Sequence, residues 1–264
     1  MLPNFLIIGA ARSGTDFLFY SLANHPSMCI ASKREIHFFD RNYDKGYLWY
    51  EQHFQHCTPG NLVGEKTANY IMDPKCPERI KETLKNVKLL CVLRNPIERA
   101  YSHYRNWVGL GFLKSKTSFR ECMKLYPEIL IMGNYYAHLK NYLTFFPMKD
   151  LLVIFSDNLF NSPYREYKRV FSFLGINENQ NLPLIKKYNE SKKLYHIRGY
   201  FFSQNKIKKI QRIFPTILER KILNLLEYRF EPITQEDRSF LKEYYYNMNE
   251  KLFDLLNTRK DWND

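Results

Sequence analysis

The chain has 264 residues, a length that suits one large α/β domain or two small ones, and with 45% of them hydrophobic and 25% charged a packed core is expected rather than disorder. Forty Lys and Arg against 27 Asp and Glu give a formal net charge of +13, which points to a polyanionic or highly phosphorylated partner, with a solvated basic face as the plain alternative. No apolar stretch approaches the ~20 residues of a membrane span, and five cysteines without metal-ligand spacing are expected to be reduced thiols. The first core strand begins by Phe5, leaving no room before it for a secretory leader, so a cytoplasmic protein without membrane insertion is expected.

The chain opens on Phe5-Leu6-Ile7-Ile8-Gly9, an apolar run that reads as a buried strand, followed by Ala11-Arg12-Ser13-Gly14-Thr15-Asp16 and the apolar positions Phe17, Leu18 and Leu22 of a helix. Strand, glycine loop and helix start form an anion cradle, because backbone N–H groups and the positive end of the helix dipole converge there. Taken alone, the pattern is also that of a tight strand-to-helix turn. The spacing of Gly9 and Gly14 fits a nucleoside-triphosphate loop, but Thr15 stands where its lysine should be and Asp16 where its magnesium-binding hydroxyl should be. The cation lies inside the loop instead, at Arg12.

Met28–Ala31 reads as a second strand, and the following segment, Ser32 to Asp40, mixes charged and aromatic residues on a loop leaving a strand end. In parallel α/β sheets ligands sit outside the carboxyl ends of strands, so Glu35 and His37 are candidate proton acceptors in the same crevice as the cradle. If the loop is extended, their side chains share a face. A surface Lys/Glu cluster over two core phenylalanines is the alternative. Tyr47, Trp49 and Tyr50 form an aromatic patch, either core or a wall for a flat ligand. Leu62–Gly64 is a buried strand that delivers Glu65, Lys66 and Thr67 to its end, and residues 77–84 read as a helix.

Residues 87–93 form the most continuous apolar run. It ends in Arg94-Asn95-Pro96, with Pro96 suited to the first turn of a helix through Ser102 to Trp107. Arg94 at the strand end and Ser102 on the helix are placed to hold a second phosphate group. Further helices are expected over 133–146, 162–174, 203–214, 215–228 and 234–256, with a strand over 151–155 and a long basic loop over 176–199 that contains Lys192, Lys193 and Arg198. The segment Leu182–Arg229 holds twelve Lys and Arg. No repeat or linker divides the chain, so a single domain of residues 1–264 is expected, with a P-loop-type parallel β-sheet flanked by helices and a helical carboxyl-terminal part.

Taken together and in order, Arg12-Ser13-Gly14-Thr15, the run from Glu35 through His37 to Asp40, Glu65-Lys66-Thr67, and Arg94-Asn95-Pro96 with Arg99 and Ser102 resemble the sulfotransferases that use 3′-phosphoadenosine 5′-phosphosulfate (PAPS). The branch most similar contains the heparan sulfate 3-O- and N-sulfotransferase domains. The resemblance implies that residues 11–16 hold the 5′-phosphosulfate, with Arg12 where that family usually has lysine. It implies that Arg94 and Ser102 bind the 3′-phosphate, and that Lys192, Lys193 and Arg198 cover the nucleotide. Glu35 becomes the general base, with His37, Arg12 and Lys66 around the reacting groups and Asp40, Trp49, Tyr70 and Trp107 toward the acceptor.

The acceptor so implied is a hydroxyl or amine of a saccharide or small molecule, not nucleic acid, and no metal is required. Sulfuryl transfer needs positioning, cations on the departing oxygens and a base. A Glu35 carboxylate tuned upward by the crevice, or held near Lys66, is the expected base. The competing classes are a P-loop kinase, disfavoured by Thr15 and Asp16, and a non-enzymatic polyanion-binding module.

Overall fold

The structure is a computed structural model that describes residues 1–114, 116–176, 230 and 232–262. The described residues group into two compact units: residues 1–95, 134–176 and 248–260 in one, and residues 96–114, 116–133, 230, 232–247 and 261–262 in the other.

The first unit is built on a five-stranded sheet in the order β2-β3-β1-β4-β5. Its strands are β1 (Phe5–Gly9), β2 (Met28–Ile30), β3 (Leu62–Lys66), β4 (Lys88–Leu93) and β5 (Leu151–Phe155), and every neighbouring pair is parallel. Parallel strands covered on both faces read as continuous apolar runs, and β1 is buried at all five positions. Alternate residues serve opposite faces. Phe5, Ile7, Leu90, Val92 and Ile154 join one core cluster with Phe17, Leu18 and Leu22 of α1 (Thr15–Ala23), while Leu6, Ile8, Leu89 and Cys91 are equally buried.

Further helices of this unit include α2 (Phe38–Arg41), α3 (Gly46–Glu51), α4 (Cys76–Thr83) and, after the segment assigned to the second unit, α8 (Tyr135–Leu143). The second unit contains α5 (Pro96–Gly109), α6 (Phe119–Leu125) and α7 (Glu128–Ile131). After β5 come α9 (Ser156–Asn161) and α10 (Pro163–Leu174), whose Tyr167, Val170 and Phe171 enter the core cluster. The last helix, α11 (Gln235–Leu255), contributes residues 235–247 to the second unit. There Tyr245 donates its hydroxyl to the Leu130 carbonyl at 2.8 Å, and Arg120 holds Glu236 at 2.7 Å and Asp237 at 2.5 Å. Among the described residues no helix is long and apolar enough to cross a membrane.

The expected strands and the helices over 77–84, 133–146, 162–174 and 234–256 are present with ends shifted by a few residues. The expected helices over 203–214 and 215–228 and the basic loop from residue 177 onward lie outside the described residues. One expectation is overturned. Cys29 at β2 and Cys57 form a disulfide across a separation of 28 residues, so these two are not free thiols. The fold brings their Cα atoms to 5.7 Å, within bridging range. Cys76, Cys91 and Cys122 are free and buried.

The bridge ties the edge strand β2 to the turn after α3, and cross-linking a loop of this length restricts the unfolded chain by about 3 kcal/mol. Cys29→Ser with Cys57→Ser should therefore lower the unfolding free energy by about 2–4 kcal/mol in urea titrations. Equal midpoints for the oxidised wild type and the double variant would show that the bridge does not form.

Candidate active site

The chain leaves β1 toward β2 on one side of the sheet and enters β4 on the other, so the order of strands reverses beside β1 and β4. Such a switch point opens a crevice at the carboxyl ends of the strands. The loop from Ala10 to Gly14 lies there, and its geometry requires glycine at both ends. Gly9 has φ 153°, and a Cβ on it would lie 2.5 Å from Ile71 Cγ2 and 2.8 Å from the Ala68 carbonyl; Gly14, at φ 104°, forms the N-cap of α1. Ser13 is 1% exposed, and its hydroxyl has no hydrogen-bond partner among the described residues. A buried hydroxyl without a partner inside a loop that opens a helix suits an anionic group as its acceptor. Thr15 is also buried, whereas Ala11, Arg12 and Asp16 are partly exposed. Arg94, at the end of β4, donates to the Arg12 carbonyl at 3.4 Å, so the second expected phosphate ligand borders the same loop.

The central ion is Lys66, at the end of β3 and 1% exposed. Its ammonium donates to Asp16 Oδ1 and to Glu35 Oε1, each at 2.6 Å. Arg34 lies 3.6 Å from the other Asp16 oxygen. Glu35 Oε2 is 3.5 Å from His37 Nε2, and His37 Nδ1 is 2.8 Å from Asp40 Oδ2. A chain of alternating charge thus runs Asp16, Lys66, Glu35, His37, Asp40.

Glu35 and His37 do not share a face by lying on an extended loop, as the sequence suggests. Both are left-handed, at φ 71° and 56°, and Arg12 is left-handed at 70°. Such backbone is uncommon for residues other than glycine and concentrates at functional sites. Here the two side chains meet because the backbone turns twice. Burial works against the charge of Glu35, but the hydrogen bond from His37 and the Lys66 ammonium outweigh it and hold the carboxyl at about 2. Of the two expectations for this carboxyl, upward tuning by the crevice and a place near Lys66, the structure shows the second and reverses the first. Hydrogen bonds to Asp40 and Glu35 raise His37 to about 9 against its burial, so at neutral pH the pair is an imidazolium and a carboxylate.

The residues assigned to the acceptor side part company. Asp40 is half of the His37 clamp, and its Oδ1 is buried without a partner among the described residues. Trp49 is partly exposed on α3, with the Lys45 ammonium 4.4 Å above its ring and Phe38 stacked at 6.3 Å. Tyr70 does not face the crevice: it is fully buried and its hydroxyl donates to Glu65, so it belongs to the core rather than to an acceptor wall. Ser102 and Trp107 stand on α5 in the second unit, where Trp107 packs edge-on against His103 and Tyr126. Lys192, Lys193 and Arg198 lie outside the described residues.

Sequence reasoning passed over Glu65, the buried neighbour of Lys66, and Asp16 as a partner of that lysine. Cys29, Cys57 and His56 place potential metal-ligand atoms within 4.8 Å of one another, but the two sulfurs are bonded to each other and His56 Nε2 is engaged at 3.0 Å with the Ile30 carbonyl.

A model of the sulfotransferase domain matches residues 2–210. Human heparan sulfate glucosamine 3-O-sulfotransferase 3B1 is 32% identical over 204 residues, 70% of this chain and 52% of that protein. The chain thus spans about half the length of these curated relatives, the human 3B1 and 3A1 enzymes. Among solved structures, a sulfotransferase from Alicyclobacillus acidocaldarius superposes with a TM-score of 0.76 at 21% identity, covering 100% of both chains. Mouse sulfotransferase SULT7A1 complexed with PAP gives 0.51 at 17% identity, over 93% of this chain and 89% of that one. Both share the fold. The chain belongs to the sulfotransferase domain family.

The two shifted groups set a pH dependence of stability. A folded value of about 9 for His37 against 6.5 means that its contribution is complete below 6.5 and lost as pH rises to about 9. Glu35, at about 2 against 4.5, contributes above 4.5 and loses that as pH falls toward 2. Urea midpoints should therefore fall between pH 6.5 and 9, and His37→Asn should flatten this limb. A wild type and a variant that fall in parallel would place the His37 pKa elsewhere.

Proposed function

We propose that this member of the sulfotransferase domain family transfers a sulfonate from PAPS to a hydroxyl or amine of a saccharide or small-molecule acceptor, within one sulfotransferase domain of residues 1–264. The observation that carries this reading is the sharing of one buried ammonium, Lys66, between a carboxylate on the anion cradle and a carboxylate beside an imidazolium. A cation common to both halves of the crevice is what a group transfer between them needs.

When bound, the donor supplies the activated sulfonate. Ser13, the cradle backbone and Arg12 hold the phosphosulfate end, and Arg94 holds the remote phosphate. An anion on the cradle competes for the Lys66 ammonium and relieves Glu35 of its shortest ion pair. Glu35 then accepts the acceptor's proton as a stronger base than in the resting site. His37, fixed by Asp40, keeps the carboxylate aimed. Asp16 stands where a nucleoside-triphosphate loop would carry its magnesium-binding hydroxyl and is already engaged by Lys66, and the reading uses no metal. The human relative is named for transfer to glucosamine of heparan sulfate, and a glycan acceptor agrees with the net charge of +13. The Cys29–Cys57 bridge fits an oxidising compartment, so the cytoplasmic placement expected from the sequence is not part of this reading.

The direct test is incubation with PAPS and a library of oligosaccharides and small hydroxyl or amine compounds, read as the mass gain of one sulfonate. Glu35→Gln should lower kcat by about 10²–10⁴ with PAPS affinity nearly intact. Arg94→Ala should raise the KM for PAPS with a smaller change in kcat, since the group it holds is remote from the reacting bond. No sulfonated product with any acceptor, together with no PAPS binding by calorimetry, would overturn the assignment.

A further inference from the structure

Glu65 adjoins the catalytic lysine on β3, yet it takes no part in the crevice. It is 0% exposed, pointing to the opposite side of the strand from Lys66. Its Oε1 accepts from Thr67 Oγ1 and from Tyr70 Oη, each at 2.7 Å, and its Oε2 accepts from the hydroxyl of Tyr50. A hydroxyl has one proton to give. Having given it to Glu65, Thr67 and Tyr70 can only accept toward everything else, and what they accept is backbone from the catalytic loop. Thr67 Oγ1 receives the N–H of His37 at 3.3 Å, and Tyr70 Oη receives the N–H of Phe38 at 2.8 Å and of Phe39 at 3.4 Å.

These three amides include the first turn of α2, whose N-cap residue, His37, supplies no side-chain cap. First-turn amides have no partner within a helix, so the Thr67 and Tyr70 hydroxyls take the place of a cap. They also anchor His37 at the amide of its left-handed backbone, the conformation that brings its ring between Glu35 and Asp40.

We propose that Glu65 is a positioning residue: by fixing the direction of the Thr67 and Tyr70 hydroxyls it holds the backbone of His37 to Phe39, and so sets the contact between the His37 ring and Glu35. Its carboxyl never touches substrate. Tyr50 is different, because its hydroxyl binds Glu65 and does not reach the loop backbone; its ring packs on Phe38 at 4.3 Å independently of the oxygen. The chain of influence therefore runs through Thr67 and Tyr70 alone. This rests on the functional reading only where activity is concerned, since the geometry of His37 can be measured without an acceptor.

The experiment titrates His37 by NMR of the imidazole in wild type, Glu65→Leu, Thr67→Val, Tyr70→Phe and Tyr50→Phe, alongside thermal melting and PAPS binding. The groups facing the ring are Glu35, Asp40 and Arg41, and none of them is altered in these variants. Thr67→Val and Tyr70→Phe should each move the His37 titration down by at least half a pH unit, and Glu65→Leu, where it folds, by as much as the two together. Tyr50→Phe should lower the melting temperature and leave the titration in place. In the sulfonate-transfer assay the first two variants should lower kcat about tenfold or more, with the dissociation constant for PAPS changed less than twofold. A His37 titration unmoved in folded Thr67→Val and Tyr70→Phe overturns the proposal, and so does one that moves equally in Tyr50→Phe. The absence of transfer activity in the wild type would count against the functional reading alone, because the titrations stand without it.

Discussion

An ammonium taken out of water must be met by negative charge or it loses its proton, and Lys66 is met twice. The sheet order explains how. β3 lies between β2 and β1, so a side chain at its carboxyl end stands between the loop that follows β1 and the loop that follows β2. Asp16 comes with the first of these loops and Glu35 with the second, each with an oxygen 2.6 Å from the ammonium. One buried cation therefore ties the loop after β1 to the loop that carries Glu35, in addition to the backbone hydrogen bonds from the Glu35 amide to the Lys66 carbonyl at 3.1 Å and from the Thr67 amide to the Ile7 carbonyl at 3.2 Å.

That tie makes the left-handed residues tolerable. Sparsely populated backbone costs about 1–3 kcal/mol per residue and persists only where its surroundings over-determine it. At Glu35 the surroundings are the ion pair with Lys66 and the hydrogen bond that the Glu35 N–H donates to the Lys66 carbonyl at 3.1 Å. At His37 they are the Thr67 hydroxyl on its amide and Asp40 on its ring. Each set includes a residue at or just beyond the end of β3, Lys66 for Glu35 and Thr67 for His37, so that strand end carries part of the restraint on the loop.

How much of this was legible in the sequence follows from where the information lies. β1, β4 and β5 are mainly apolar runs, which is why their positions could be read, while β2 is three residues long and β3 was read from Leu62–Gly64 before its charged end. The short helices α2, α3, α7 and α9 have four to six residues, too few for a 3.6-residue period to show. α6 had a readable signal that was passed over: Ser118 caps it by accepting from the Glu121 amide at 3.1 Å, with glutamate three residues after serine. The charged motifs could be assigned to one crevice because strand ends converge in a parallel sheet. A place for Glu35 near Lys66 was among the expectations, but the pairs of Asp16 with Lys66 and of Cys29 with Cys57 were not, since neither Asp16 nor Cys57 is near its partner in sequence. Tyr70 was misplaced for the same reason. An aromatic residue beside charged ones looks like a ligand wall until the fold buries it on Glu65.

The two glutamates of this region show what the strand accomplishes. Successive side chains on β3 point to opposite faces, so Glu65 and Lys66 enter different surroundings although they are joined by one peptide bond. Burial pushes the Glu65 carboxyl up, and only hydroxyl donors oppose it. Glu35 meets the ammonium that its neighbouring strand turned the other way and is held at about 2. The carboxylate paired to a full charge is partly exposed beside the loop after β1, and the one paired to hydroxyls is fully buried. A lysine shared with the cradle gives Glu35 a basicity that depends on what the cradle holds. Glu65 has only hydroxyl partners, and two of these, Thr67 and Tyr70, accept the backbone amides of His37 to Phe39, so its surroundings do not include the cradle.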